Sequence, residues 1–177
     1  MKDYHLYHGT SLEALNAIIQ TGMMHTAAYL RDRDQLVWGE LKGNLNSEDD
    51  KERNGPKYMH PSIMGELGIE LSPEDEKIFG HAFAIFFANH PQRCFGYTPK
   101  DNDQQAIIVL NKNAMENRGH IFTDCREEGI KCESSISLDF GLAAILVPDE
   151  KVDQYKAKVQ AANLFTQVYK LGDVRTK

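Results

Sequence analysis

The apolar positions of this chain change period along its length, and each change marks an element. Tyr4-His5-Leu6-Tyr7 is aromatic-rich and alternates in size, as a strand does. A helical pattern takes over after His8-Gly9-Thr10: Leu12, Leu15 and Ile19 fall on one face, with Ile18 beside them. Thr10 as N-cap, with Glu13 three residues on, makes a capping box, and Gly22 supplies the stop. The stretch predicts a strand, a sharp turn, a capped helix and an end. It leaves His8 and Gly9 at a strand end, where a side chain and a bare backbone can both face a ligand.

The periodicity weakens from 25 to about 61. Arg31-Asp32-Arg33-Asp34 alternates charge, Trp38-Gly39-Glu40 follows, and 47–56 reads as a solvated loop by composition. Tyr29 and Trp38 are the expected anchors of this excursion. A short helix is expected within 61–71. Another begins at Ser72-Pro73, with Ser72 as N-cap and Pro73 at N1, and ends near Gly80. Residues 81–88, HAFAIFFA, are a continuous apolar run and predict a buried strand. Asn89-His90-Pro91 then turns the chain into a short helix through Arg93, Cys94 and Phe95 to Gly96-Tyr97. Further strands are expected at 105–110 (QAIIVL), at Ile121-Phe122-Thr123, at 133–138 (ESSISL, opened by Glu133) and at 143–147 (AAILV), with a turn at Asp139-Phe140-Gly141. Pro148-Asp149-Glu150 starts the last helix, with Val152, Tyr155 and Val159 on one face, and 164–171 forms a final edge strand. About six short strands without regular βαβ alternation predict an α+β fold rather than a doubly wound sheet. No GxGxxG follows a strand, and no internal repeat or low-complexity segment appears.

Composition narrows the class. A length of 177 residues predicts a single domain, 1–177, able to bury a core. The 41% apolar and 26% charged fractions are those of a soluble globular protein. A net charge of −6 argues against sequence-blind binding of nucleic acid over a broad basic surface, though not against a local basic groove. No signal-peptide pattern opens the chain, and no apolar run approaches the roughly 20 residues of a membrane span. A cytoplasmic protein without membrane association is expected. Cys94, Cys125 and Cys132 read as reduced thiols rather than a disulfide frame. With no CxxC, no HExxH and scattered histidines, no metal site is expected.

The residues that remain carry a resemblance. LYHGTSLEALNAIIQTGM is similar to the first motif of the His-Tyr-Glu ADP-ribosyltransferases, the diphtheria-toxin and poly(ADP-ribose) polymerase type. Ile85-Phe86-Phe87-Ala88-Asn89 through Tyr97 resembles their second motif. In that motif an aromatic strand leads into a short helix, and the two ring positions stand eleven apart, as Phe86 and Tyr97 do. Glu133 resembles the catalytic glutamate, with Glu127 and Glu128 close by. The order of elements also resembles the DNA-targeting toxins of the DarT kind. Two positions depart from the group: Phe86 lacks the hydroxyl of the first tyrosine, and Cys94 replaces a serine that binds the nicotinamide amide.

The resemblance implies a split-sheet ADP-ribosyltransferase-like fold and NAD as co-substrate, with ADP-ribose passed to a protein or nucleic-acid acceptor and nicotinamide released. It implies a toxin or effector, cytoplasmic or delivered into a target cell, with an antitoxin or hydrolase as counterpart. His8, Tyr97 and Glu133 are the implied catalytic set. His8, with Thr10, would hold the adenosine ribose, the Gly9 backbone and Cys94 the nicotinamide amide, and Phe86 and Tyr97 the nicotinamide ring. These residue types suit the chemistry. Cleavage of the nicotinamide–ribose bond passes through an oxocarbenium-like state that a carboxylate stabilises, and a ring face stacks with or without its hydroxyl. Two alternatives stand beside this reading: a degenerate module of the same fold that binds without turnover, and an RNA 2′-phosphotransferase. The latter needs clustered arginines, which Arg93, Arg118 and Arg126 do not form in the sequence.

Overall fold

The computed structural model describes residues 5–26, 84–95, 98–125 and 129–175. The expected loop anchors Tyr29 and Trp38, the helices of 61–80, the first half of the 81–88 strand, Tyr97, Glu127 and Glu128 lie outside the described residues. The chain divides into two compact units. The larger comprises Met1–Met24, Phe86–Cys132 and Ile136–Lys177; the smaller comprises His25–Ile85 and Glu133–Ser135.

In the larger unit a four-stranded sheet runs in the order β1-β4-β8-β9, from His5–Ser11, Gln105–Asn111, Leu142–Val147 and Gln167–Lys170. β1/β4 and β4/β8 are antiparallel, and β8/β9 is parallel. β4 is the continuous apolar run QAIIVL, buried from Gln105 to Leu110, because this central strand is covered on both faces. Helix α1, Leu12–Thr21, buries Leu12, Leu15 and Ile19. The Tyr155 hydroxyl of the later helix Val152–Ala161 donates to the Leu12 carbonyl at 3.2 Å, joining the two helices. On that helix Val152, Tyr155 and Val159 form the buried stripe that their spacing predicts.

Two smaller sheets hold the other described strands. β2, Met23–Met24, pairs with β7, Ile136–Ser137. β3, Ile85–Phe87, lies beside β6, Ile130–Cys132, which pairs with β5, Thr123–Asp124. A single antiparallel bridge between Tyr7 and Ala88 ties the edge of β1 to the residue after β3, with both backbone hydrogen bonds formed at 2.8–2.9 Å.

The start of α1 differs from the sequence expectation. β1 continues through Thr10 to Ser11, paired with β4 at every position, and Ser11 rather than Thr10 caps the helix by accepting from the Ala14 N–H at 3.1 Å. Cross-strand pairing with seven residues of β4 holds Thr10 extended and buried, so the cap passes to the next hydroxyl in the chain. No sharp turn occurs at His8-Gly9; both stand inside the strand. Gly22 is the left-handed C-cap, φ 67°, as expected. The ESSISL segment also differs. Its only strand residues are Ile136 and Ser137, and Glu133 follows β6 instead of opening a strand. The final strand is shorter than 164–171 and is followed by a short helix, Gly172–Arg175.

Candidate functional site

The strongest local constraint in the expected site is on His8. Its Nδ1 lies 2.9 Å from the Phe86 carbonyl oxygen, 78 positions away in sequence. A carbonyl only accepts, so Nδ1 carries the proton. Burial lowers the imidazole pKa below its ordinary value, and the hydrogen bond to Phe86 opposes that shift only in part. The ring is therefore neutral near pH 7, with Nδ1–H fixed on β3 and Nε2 as its acceptor. The ring meets Phe87 at a tilt of 57°, centroids 5.7 Å apart, and Phe87 in turn meets Phe122 edge-on at 5.7 Å.

Phe86 and Phe87 are neighbours on a strand and point to opposite faces. Ile85 and Phe87 are buried and Phe86 is half-buried, which matches that alternation. The expected stacking ring thus stands on the face away from the His8–Phe87 contact, while its own carbonyl orients His8. Sequence reasoning singled out Phe86 and passed over Phe87; the strand period of two was the signal that separates them.

Gly9 is required by close approach. A Cβ there would lie 2.7 Å from the Cys94 carbonyl oxygen and 2.9 Å from Thr98 Cγ2. The side-chain direction of Gly9 is thereby filled by the end of the short helix Pro91–Cys94, which packs on β1. Tyr7 turns its N–H and C=O to Ala88 on the edge away from β4, and Gly9, two residues on, presents its backbone to the same edge. Cys94 is 1% exposed, in a core cluster with Ala88, Ile107, Val109, Leu146 and Leu171. Burial pushes its thiol up to about 12, against backbone hydrogen bonding at Ala88 and Gly9. It is a neutral wall at physiological pH, not a thiolate nucleophile. Thr10 is buried opposite Ala106.

The larger unit thus brings together His8, Gly9, Thr10, Phe86 and Cys94 around the junction of β1, β3 and the helix Pro91–Cys94. Glu133 belongs to the smaller unit, exposed, at the position where the chain leaves β6. A cavity of about 470 Å³ in the larger unit, lined by Tyr7, His90, Gln92, Tyr169, Lys170 and Asp173 among others, contains none of the expected site residues. Tyr7 and His8 are adjacent on β1 and so point to opposite faces, which sets that cavity apart from His8. Among the described residues no group of three or more His, Cys, Asp or Glu side chains is gathered to hold a metal ion, and no helix is long and apolar enough to cross a membrane.

No protein-family model and no curated protein matches the sequence. Two solved structures are similar in fold. Thermus sp. 2.9 DarT in complex with ADP-ribosylated ssDNA aligns with a TM-score of 0.55 at 10% identity, covering 98% of this chain and 96% of that one. The same protein in complex with NAD+ aligns with a TM-score of 0.54 at 10% identity, covering 98% of each chain. The α+β architecture expected from the strand pattern, and the ADP-ribosyltransferase-like fold implied by the motifs, are therefore present over nearly the whole length.

Proposed function

We propose that this chain is an NAD-dependent ADP-ribosyltransferase, which cleaves the nicotinamide–ribose bond of NAD and passes ADP-ribose to a macromolecular acceptor. The observation that carries the reading is the orientation of His8. A neutral imidazole with its Nδ1–H held by a backbone carbonyl offers one acceptor, Nε2, suited to a ribose hydroxyl. A charged imidazole would offer none. Support comes also from the similar fold of DarT, whose structures hold NAD+ and ADP-ribosylated ssDNA.

In this reading the residues divide the task as the motif resemblance implies. NAD is the co-substrate and supplies both the ADP-ribose and the leaving group. His8 orients the adenosine ribose, with Thr10 behind it on β1. Gly9 offers backbone N–H and C=O to the nicotinamide amide, and the neutral Cys94 closes the wall beside it. The Phe86 ring and Tyr97 enclose the nicotinamide plane. Glu133 stabilises the positive charge that develops on the ribose and activates the acceptor. The reading takes 1–177 as a single ADP-ribosyltransferase-like domain. The favoured acceptor is single-stranded DNA, in line with the ADP-ribosylated strand in the DarT complex. The reading places the protein in the cytoplasm, as a toxin or as an effector delivered to a target cell, with a hydrolase or antitoxin as counterpart.

The test uses NAD labelled in its adenosine half, incubated with the protein and cell lysate, then separated into protein and nucleic-acid fractions. Label in either fraction with release of nicotinamide is expected, and Glu133→Gln should lower turnover by roughly 10²–10⁴-fold, the scale of a positioned acid–base group. NAD affinity should change less than about tenfold, because the carboxylate acts mainly in the transition state. Binding of NAD without turnover would establish the non-catalytic module instead.

A further inference from the structure

The smaller unit contains a side-chain pair that the proposed reaction has not yet used. His25 Nδ1 and Ser135 Oγ share a hydrogen bond of 2.8 Å across 110 positions of sequence. His25 directly follows Met24, and Ser135 directly precedes Ile136. Met24 and Ile136 are the last cross-strand partners of β2 and β7. In an antiparallel pair the next partners outward from Met24↔Ile136 are His25 and Ser135. The backbone ladder ends there, and a side-chain bond continues the pairing one step further.

That step matters because of what adjoins it. Glu133, Ser134 and Ser135 form the whole connection between β6, which ends at Cys132, and β7, which begins at Ile136. At its β6 end the connection is fixed by the buried Cys132, at its β7 end by the buried Ile136. Three residues outside any strand separate the two, and Glu133 is exposed. The course of this link sets where the backbone of Glu133 stands. Ser135 carries a tie across 110 positions of sequence, and it stands two residues from the carboxylate on a link that bends at Ser134.

We propose that His25 and Ser135 are a positioning pair for Glu133, fixing the connection so that the carboxylate is presented in one place. The proposal rests on the reading of Glu133 given above. Neither side chain needs to touch substrate. Their effect is on the accuracy with which the carboxylate meets the reacting ribose, a quantity to which turnover is steeply sensitive and ground-state NAD binding is not.

The experiment is a mutant cycle on the full chain, with kcat and KM for NAD measured for wild type, Ser135→Ala, Glu133→Gln and the double variant, and melting temperatures beside them. Ser135→Ala should lower kcat roughly tenfold to a hundredfold with KM within about twofold, the size of a modest misplacement of a catalytic group. Ser135→Thr, which keeps the hydroxyl, should restore most of the loss, and His25→Ala should reproduce it. The double variant should be no slower than Glu133→Gln alone, because a residue that acts only through another has no further effect once that one is gone. Losses in kcat that multiply in the double variant, or a Ser135→Ala protein with wild-type kcat while Glu133→Gln is impaired, would overturn the positioning role and leave the function standing. Full activity of Glu133→Gln, or no NAD turnover by the wild type, would overturn both.

Discussion

Replacement of Gly9 by alanine tests how β1 and the helix Pro91–Cys94 are joined. The new methyl would lie 2.7 Å from the Cys94 carbonyl oxygen, about 0.7 Å short of ordinary contact at 3.4 Å, and 2.9 Å from Thr98 Cγ2. The Thr98 methyl can rotate away, although its hydroxyl then leaves the Phe95 carbonyl that it donates to at 3.2 Å. The carbonyl cannot yield alone, since it is main chain at the end of a helix whose Cys94 is buried. Overpacking of this kind costs about 1–3 kcal/mol. Against it stands the entropy recovered by removing a glycine from a strand, about 0.5–1 kcal/mol. The net is a destabilisation of about 1–2 kcal/mol, or roughly 3–6 °C in Tm for a chain of this size. Thermal unfolding followed by circular dichroism reads it directly. Gly9→Ala combined with Thr98→Ser removes one of the two clashes and should recover less than half of the loss, because the shorter contact is with backbone. A Gly9→Ala protein as stable as wild type, or more so, would refute the argument that close approach dictates the glycine.

Two further outcomes follow from the same strand. Ser11→Ala should lower stability by about 1 kcal/mol, the ordinary effect of losing an N-cap side chain, whereas a cap at Thr10 would leave Ser11→Ala silent; a urea titration of Ser11→Ala beside wild type distinguishes the two. His8 has a folded-state pKa below its ordinary 6.5 because burial disfavours the charged ring. Below pH 6.5 the unfolded chain therefore binds more protons at this residue than the folded one. Stability from His8 is present above that pH and is lost as pH falls through the folded value. The difference in unfolding free energy between wild type and His8→Gln, measured from pH 8 down to pH 5, should shrink as the pH is lowered; a difference that does not vary with pH would contradict the neutral, Nδ1-protonated ring.

The sequence by itself determined the elements whose evidence is local. The 3.6-residue stripe of Leu12, Leu15 and Ile19 and the stop at Gly22 need only neighbours along the chain, and both stand as written. The same holds for the apolar run of β4, the Pro91 start of a short helix and the stripe of Val152, Tyr155 and Val159. The α+β class follows from the strand count and the lack of alternation, and His8 with Gly9, and Phe86 with Cys94, could be singled out because each pair lies in a short contiguous stretch that resembles a family motif. Only the tertiary structure decided what depends on distant partners. Thr10 is as good a cap as Ser11 until β4 pairs with β1 through Ser11 and holds Thr10 extended. ESSISL alternates as a strand should, yet only Ile136 and Ser137 find a partner strand, β2, and Glu133 is left to leave β6. The tautomer of His8 is set by a carbonyl 78 residues away, the need for glycine at position 9 by a helix end, and the tie between His25 and Ser135 by pairing across 110 residues. A short-range pattern records a residue's own conformational preference, but a hydrogen bond or a close contact between remote segments exists only once the chain has closed the loop between them.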